Sequence, residues 1–343
     1  MATSDQVLSA LAAVKDPNTG QDFVAARAIK NVQVNGGDVA FDVELGYPAR
    51  SQVPALRQAV VAAVRAIPGV NNVSVNFTTN VIAHAVQRGV QLMPNVRNIV
   101  AVASGKGGVG KSTTAANLAL ALAAEGARVG LLDADIYGPS QPMMMGIEGR
   151  PESEDGQTME PLENYGVQVM SIGFLIDPDE AMIWRGPMAT QALEQLLRQT
   201  NWRELDYLLV DLPPGTGDIQ LTLSQRVPMT GAVIVTTPQD IALLDARKGV
   251  AMFEKVGVPI LGLVENMAVH VCSNCGHAEH IFGEGGGKRY AQERGLPYLG
   301  ALPLDIRIRQ QADGGRPTVV ADPDGPIATT YKDVARQVAV RIA

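Results

Sequence analysis

The stretch that most constrains the fold of this chain is VASGKGGVGKSTT, residues 102–114. An apolar segment, residues 98–103, precedes it, and a helix-favouring run, residues 114–125, follows. The spacing G-x-x-x-x-G-K-[ST] therefore lies between a predicted strand and a predicted helix, the context that a P-loop requires. Glycine amides and the positive end of the helix favour an anion, Lys111 is suited to the β- and γ-phosphates, and Ser112 is suited to Mg²⁺. The predicted nucleotide-binding residues of this stretch are Gly105, Lys106, Gly107, Gly108, Val109, Gly110, Lys111, Ser112 and Thr113.

A second lysine, Lys106, follows the first glycine, where an ordinary P-loop does not need one. It is either a solvated loop charge or an extra cation for the phosphate charge that develops during hydrolysis. The sequence GKGGVGKST, residues 105–113, resembles the signature of the deviant Walker A ATPases, which include MinD, ParA and the nitrogenase iron protein. That resemblance implies a homodimer in which Lys106 reaches the nucleotide of the partner subunit, so Lys106 joins Lys111 as a predicted catalytic residue.

Acidic residues end two further apolar segments. Residues 128–132 predict a buried strand that leads into Asp133, with Asp135 two positions later. Residues 207–211 predict a Walker B strand, whose Asp211 we assign with Ser112 to Mg²⁺. Because ligands of doubly wound folds bind at the carboxyl ends of the strands, Asp135 is the candidate for orienting the attacking water, and the family resemblance implies the same role. An alternative interpretation is that one of the two aspartates only caps the next turn, a role that Asp133 suits better than Asp135.

The order of predicted elements gives the fold class. From residue 98 onward, strands alternate with helices, which predicts an α/β P-loop NTPase with a mostly parallel sheet flanked by helices. Residues 1–84 predict a separate small α+β domain of order α-β-β-α-β, with a scaffold or partner-docking role. Residues 85–97 are interpreted as a linker because glycine and proline interrupt them, and residues 98–343 as the ATPase domain. Residues 147–166 are acidic and turn-rich and predict a surface excursion.

Other positions near predicted strand ends are candidates for nucleotide contacts. Gly215 or Gly217 is suited to turn a backbone N–H toward the γ-phosphate. Asn266 suits the adenine edge because its amide both donates and accepts hydrogen bonds. Asp305 is assigned to the border of the base by the family resemblance. Arg185 is either a nucleotide or partner contact or a plain surface charge.

Length and charge restrict the class of protein. A chain of 343 residues suggests about two domains. The formal net charge of −7 argues against a general nucleic-acid or anionic-membrane binder. No apolar run approaches the roughly 18 residues that span a bilayer, and the N-terminus lacks the basic and apolar regions of a signal peptide. We therefore expect a cytoplasmic protein with no membrane or nucleic-acid partner.

The two cysteines of the chain, Cys272 and Cys275, form a C-x-x-C pair. One interpretation is a structural zinc site completed by two histidines, because His270, His277 and His280 lie nearby. A thioredoxin-like redox pair and two unrelated thiols are further alternatives. A [4Fe–4S] cluster is the fourth, and it needs four thiolates where one chain offers two. Two chains on a two-fold axis would supply all four.

The whole chain resembles the Mrp/ApbC family of ATP-dependent iron–sulfur cluster carriers. The resemblance rests on GKGGVGKST, LLDADIYGPS, LLVDLPPGTGD, the cysteine pair and IFGEGGGKRYAQ. It implies a homodimer that uses ATP and Mg²⁺, holds a bridging [4Fe–4S] cluster on Cys272 and Cys275, and passes the cluster to apo-proteins. Two alternatives remain open: a positioning ATPase of the MinD or ParA kind, and an ATPase with structural zinc at the cysteine pair.

Overall fold

The computed structural model describes residues 2–84, 90–176 and 186–343. Residue contacts divide the chain into two compact units, Met1–Ile82 and Ala83–Val338, with the last five residues divided between them. Two predicted features fall outside the described residues: Arg185 and the first part of the predicted linker, residues 85–89.

The first unit has the predicted order of elements. They are α1 (Ser4–Leu11), β1 (Ile29–Asn35), β2 (Asp38–Leu45), α2 (Val53–Arg65) and β3 (Asn72–Thr79). Helix α1 begins at a capping box in which Thr3 and Gln6 satisfy each other's backbone amides. β1 pairs antiparallel with β2, and β2 pairs parallel with β3. Val7, Val60 and Val64 are fully buried, so both helices place their apolar faces in the core of this unit.

The second unit is built on ten strands and nine helices in the described part of the chain, besides a short 3₁₀ turn. The strands are β4 (Val96–Ala103), β5 (Val129–Asp133), β6 (Leu162–Asn164), β7 (Val167–Ser171), β8 (Leu205–Asp211), β9 (Gly231–Thr236), β10 (Ile260–Glu265), β11 (His270–Val271), β12 (Ala278–Glu279) and β13 (Tyr298–Ala301). The helices are α3 (Lys111–Ala124), α4 (Gln141–Met144), α5 (Gly186–Gln199), α6 (Asp218–Arg226), α7 (Asp240–Lys255), α8 (Gly286–Arg294), α9 (Ile306–Asp313), α10 (Thr318–Ala321) and α11 (Pro326–Ile342).

Eight of these strands form one sheet in the order β13-β10-β9-β4-β8-β5-β7-β6. All neighbours are parallel except β6, which runs antiparallel at the edge. Every residue of β5, β8 and β9 is buried, which explains why most of their residues are apolar. The predicted fold class, an α/β P-loop NTPase with a mostly parallel sheet flanked by helices, is confirmed. None of the described helices combines the length and the apolar character needed to cross a lipid bilayer.

Two boundaries differ from the prediction. β4 begins at Val96, so the last two residues of the predicted linker belong to the sheet. The predicted surface excursion, residues 147–166, contains the edge strand β6. β6 is only three residues long and none of its residues is buried, so it has no apolar pattern that a sequence reading can detect.

Candidate functional site

The register of the central strands gathers the site at one edge of the sheet. β4, β8 and β5 are neighbours, and Val102 pairs with Asp211, which in turn pairs with Asp133. The P-loop leaves β4 immediately after this point. The two acidic strand ends therefore lie beside the loop, as the rule for doubly wound sheets requires.

Glycine is required in the P-loop for two different reasons. Gly108 and Gly110 adopt φ values of 78° and 81°, a left-handed conformation that is costly for residues with a Cβ. Gly110 is also the N-cap of α3, so its conformation aims the loop at the amide end of that helix. Gly105 is required for space, because an added Cβ would lie 2.1 Å from the backbone carbonyl carbon of Asp245 in α7.

Lys111 lies at the centre of a buried charge cluster. Its side chain is 6 % exposed, and its ammonium donates to the Asp211 carboxylate. The same nitrogen lies 3.7 Å from Asp135 Oδ2 and 3.2 Å from Ser112 Oγ. One cation therefore faces three oxygen-bearing side chains. Asp211 and Ser112 are the residues assigned to Mg²⁺, and Asp135 is the residue assigned to the attacking water.

The two aspartates that follow β5 have different surroundings. Asp133 is fully buried and accepts hydrogen bonds from the amides of Asp135, Ser140 and Gln141 and from the Ser171 hydroxyl, at 3.0–3.2 Å. These bonds hold the turn after β5 closed, so Asp133 has the capping role. Burial and the neighbouring charge of Asp211 raise the pKa of Asp133 to about 7, against the opposing effect of the backbone donors.

Asp135 is half-buried and points to the same ammonium as Asp211. Burial raises the pKa of Asp135, and the Lys111 charge partly offsets that effect. Of the two aspartates, Asp135 has the more accessible carboxylate, with 14 % of its side chain exposed. Hydrogen bonds from the backbone of Gly138 and Tyr137 also lower its pKa, but burial has the larger effect. Its predicted role in orienting water stays a prediction that this position supports.

Sequence analysis missed Gln141, the first residue of α4. Its Nε2 donates to Asp211 Oδ2 at 2.9 Å and to the Ser112 carbonyl oxygen at 3.0 Å. A glutamine eight positions after a strand-end aspartate matches no motif spacing, so nothing in the sequence distinguishes it. The turn held by Asp133 brings it into the site.

The remaining loop residues lie around this cluster. Lys106 is half-exposed, and its ammonium has no hydrogen-bond or ion-pair partner among the residues that the structure describes. The amide of Gly215 donates to the Ser104 carbonyl oxygen at 2.9 Å, which joins the loop after β8 to the base of the P-loop. A free ammonium at the loop surface fits the predicted action of Lys106 on a partner subunit, which stays a prediction.

The two residues assigned to the base have other contacts. Asn266 is buried, and its Nδ2 donates to the Val109 carbonyl oxygen at 2.9 Å, which supports the P-loop. Asp305 is the N-cap of α9; Oδ1 accepts from the amide and Nε of Arg307, and Oδ2 from Nη2. The Arg307 guanidinium lowers the pKa of Asp305. The predicted base contacts of both residues stay predictions, and for Asp305 both carboxylate oxygens are already engaged.

The cysteine pair lies in the turn of a short hairpin formed by β11 and β12. The amide of Cys272 donates to the His277 carbonyl oxygen at 2.9 Å, and the amide of Gly276 donates to the Cys272 carbonyl oxygen at 2.8 Å. Cys272 is half-buried, Cys275 is exposed, and both thiols are free. Hydrogen bonds from the amides of Cys275 and Asn274 lower the pKa of the Cys272 thiol. The hairpin does not place Cys272 at a helix N-terminus, which the thioredoxin-like alternative requires.

The histidines near the hairpin do not complete a metal site within one chain. His270 Nδ1 lies 3.0 Å from the Leu304 carbonyl oxygen, and His280 Nδ1 lies 2.7 Å from that of Ala268. Among the residues that the structure describes, no three His, Cys, Asp or Glu side chains are grouped to hold a metal ion. Within the described residues, Cys272 and Cys275 are thus a two-ligand set, and a tetrahedral centre needs two more ligands.

The P-loop cluster fits a nucleotide with Mg²⁺. The Ser112 hydroxyl and the Asp211 carboxylate are hard oxygen donors on either side of Lys111. Gln141 Oε1 is buried beside them, and no described residue gives it a hydrogen bond. Helix α3 directs its free amides toward the loop, where an anionic phosphate is favoured.

Comparison with known protein families identifies both units. Residues 95–339 match the family described as NUBPL iron-transfer P-loop NTPase. Residues 4–77 match the family described as iron–sulfur cluster assembly protein. The first match spans well over half of the chain.

Curated relatives are similar over most of their length. The iron–sulfur cluster carrier protein of Pseudomonas fragi is 62 % identical over 275 residues, which cover 80 % of this chain and 96 % of that protein. That of Escherichia coli K12 is 48 % identical over 340 residues, covering 98 % and 91 %. The iron–sulfur cluster transfer protein NUBPL of Mus musculus is 54 % identical over 249 residues, covering 72 % and 78 %.

Solved structures agree with the fold. A nucleotide-binding protein from Archaeoglobus fulgidus in complex with ADP is 39 % identical, with a TM-score of 0.59 over 68 % of this chain and 91 % of that one. The cell division ATPase MinD of Pyrococcus furiosus is 22 % identical, with a TM-score of 0.54 over 70 % and 98 %, a likeness in fold alone. Since the family match and the full-length relatives agree, the chain belongs to the family of iron–sulfur cluster carrier and transfer proteins with a P-loop NTPase domain.

Proposed function

We propose that this protein is a homodimeric, MgATP-hydrolysing carrier that binds a [4Fe–4S] cluster between two subunits and transfers it to apo-proteins in the cytoplasm. The observation that carries the proposal is the combination, in one domain, of a P-loop charge cluster and a pair of thiols at a surface turn that has no third ligand among the described residues. Residues 1–84 are assigned to the docking of partner proteins.

The nucleotide part of the proposal assigns one role to each residue. Lys111 and the loop amides bind the phosphates, Ser112 and Asp211 hold Mg²⁺, and Asp135 orients the attacking water. Mg²⁺, when bound, supplies charge neutralisation at the phosphate oxygens. Lys106 acts across the dimer on the partner's phosphates, since it is free of ion pairs within its own described chain.

The cargo part of the proposal rests on the hairpin. A [4Fe–4S] cluster takes four thiolates, and two hairpins related by a two-fold axis supply Cys272 and Cys275 twice. The lowered pKa of Cys272 favours the thiolate, the form that ligates iron. Two thiolates per subunit at an exposed turn suit a cluster that must leave again.

Asn266 offers a physical connection between the two parts. Its side chain donates to the Val109 carbonyl oxygen in the P-loop, and it lies six positions before Cys272 in the chain. Between them, Ala268 bonds to the Leu302 carbonyl oxygen, and β11 begins at His270. We propose that a change in the P-loop on nucleotide exchange moves this segment and with it the thiol pair.

The experiment that tests the cargo proposal is anaerobic reconstitution followed by iron and sulfide analysis. The wild type should hold about four iron and four sulfide per dimer, and Cys272→Ala and Cys275→Ala should each lose most of both. His277→Ala is the matched control, because His277 is an exposed residue of the same turn, and it should load like the wild type. Full loading of the cysteine variants would overturn the proposal, and about one zinc per chain, lost in His277→Ala, would favour the structural zinc alternative.

A transfer assay and a binding assay separate the remaining functions. Loaded dimer mixed with an apo-ferredoxin should give up its cluster, measured by the recovered absorption of the acceptor. ATP-dependent co-sedimentation with liposomes or DNA, without cluster transfer, would instead support the positioning ATPase.

A further inference from the structure

The side chain of Gln141 bonds both to Asp211, at the end of β8, and to Ser112, at the start of α3. One of its two polar atoms has no hydrogen bond from a described residue. The side chain is completely buried at the start of α4. Both hydrogens of its amide nitrogen are used, one on Asp211 Oδ2 and one on the Ser112 carbonyl oxygen. Since both partners are acceptors, the orientation of the amide is determined: nitrogen faces Asp211 and Ser112, and oxygen is the atom left over.

Among the residues that the structure describes, the leftover oxygen, Gln141 Oε1, has no hydrogen-bond partner. The large majority of buried polar side-chain atoms in proteins have one, and leaving one without a partner costs about 1–3 kcal/mol. A methionine or leucine would fill the same space without that cost. The amide is therefore better explained by a ligand that completes its bonding than by packing.

The surroundings indicate which ligand that is. Oε1 belongs to the same amide group as Nε2, which donates to Asp211 and to the Ser112 carbonyl oxygen. Asp211 and Ser112 are the two residues whose side-chain oxygens are suited to Mg²⁺. Mg²⁺ dehydrates reluctantly and keeps several water molecules when it binds beside phosphates. Those waters are strong donors, and an amide oxygen at this position is an acceptor for one of them.

We infer that Gln141 is a positioning residue for the metal of the nucleotide site: its nitrogen orients Asp211, and its oxygen accepts a hydrogen bond from a water bound to Mg²⁺. The inference rests on the proposed nucleotide site and adds a residue to it. Partners in this outer position typically change metal affinity by about 10–100-fold when they are removed. We expect the change in the affinity for the metal, because the two hydrogen bonds of the Gln141 amide nitrogen go to Ser112 and Asp211, the residues assigned to Mg²⁺.

The test is the affinity of the intact protein for Mg²⁺, measured with a fluorescent ADP analogue. Gln141→Leu should weaken the apparent Mg²⁺ affinity at saturating nucleotide about tenfold or more. Its affinity for the same nucleotide in EDTA should remain within about twofold of the wild type. Gln141→Met, closer in shape to glutamine, is the second variant if Gln141→Leu does not fold.

Gln168→Leu is the matched control. Gln168 lies in β7, and its amide bonds the backbone of Arg203 rather than any residue of the site. This variant should keep the wild-type Mg²⁺ affinity. Two results would overturn the inference but leave the proposed nucleotide site intact. One is an unchanged Mg²⁺ affinity in both Gln141 variants, and the other is an equal loss of nucleotide affinity in EDTA and in Mg²⁺. A wild type that binds no nucleotide would overturn the proposed function as well.

Discussion

Replacing Gly105 with alanine should weaken nucleotide binding, because the added methyl group has no space. An ideal Cβ at Gly105 would lie 2.1 Å from the carbonyl carbon of Asp245 and 2.6 Å from the amide nitrogen of Ala246, both in α7. Non-bonded carbons prefer separations of about 3.5–4.0 Å, so the loop and the helix must move apart by roughly 1.5 Å. Both contacts are backbone, and no rotamer change relieves them.

The loop is expected to yield rather than the helix. Ala246 and Val250 are fully buried where α7 packs, whereas Gly107 and Gly108 in the loop are exposed. Overpacking of this kind costs about 1–3 kcal/mol, and the rigid contact favours the upper end. If the free energy of nucleotide binding falls by about 3 kcal/mol, the nucleotide affinity falls by roughly a hundredfold.

Isothermal titration with MgADP measures this effect, and a thermal melt reports the fraction of the cost that appears in stability. The matched control is Gly249→Ala on the same helix, where an added Cβ meets nothing within 4 Å. That variant should bind as the wild type does and gain up to about 1 kcal/mol of stability, since alanine is the better helix former. If Gly105→Ala bound MgADP with wild-type affinity, the contact between α7 and the loop would not position the P-loop.

Two further predictions concern catalysis. Lys106→Ala should slow ATP hydrolysis by about 10³-fold or more, as the loss of an arginine finger does, and should leave the affinity for ADP nearly unchanged. The control is Lys248→Ala, which changes an exposed lysine of α7 and should have no effect. Mixing Lys106→Ala with Asp135→Asn subunits should restore activity, because one composite site then has both groups; no recovery would mean that Lys106 does not act in trans. The value of kcat/KM for ATP should fall as pH is lowered, because burial raises the pKa of Asp135 and its ionised form, present above that pKa, is the one that accepts the proton. The decline should begin above the ordinary carboxyl range near 3.9, whereas a profile that stays flat down to pH 4 would exclude Asp135 as the base.

Sequence reasoning succeeded where a residue type and a spacing carry their own geometry. The P-loop spacing required a strand and a helix around it, and β4 and α3 lie there. The uninterrupted apolar runs before Asp133 and Asp211 predicted parallel strands, and the register of β5 with β8 places the two aspartates side by side. These features depend on local chemistry, which a linear sequence contains in full.

Sequence reasoning did not recover contacts that depend on tertiary packing. Gln141 enters the site only because the turn held by Asp133 folds back, and the edge strand β6 exists only because β7 offers it a partner. The glycine-rich run at residues 283–287 supported the family resemblance without a reason for its composition. The structure supplies one: a Cβ at Gly287 would lie 2.8 Å from the Glu265 carboxylate, which accepts the Gly287 amide.

The charge balance of the site argues that nucleotide and metal bind together. Asp135 and Asp211 both face one ammonium, and burial together with the charge of Asp211 raises the pKa of the neighbouring Asp133 to about 7. A polyphosphate adds negative charge to an already acidic cluster, and Lys111 cannot serve Asp211 and the phosphates fully at once. A divalent cation at the proposed ligands Asp211 and Ser112 would relieve both problems, because it would neutralise the carboxylate and leave Lys111 to the phosphates. Gln141 joins the Asp211 carboxylate to the turn after β5, because its Nε2 donates to Asp211 Oδ2 and its backbone amide donates to Asp133 Oδ2. Movement of the Asp211 carboxylate toward a metal would therefore reach that turn, the segment that carries Asp135.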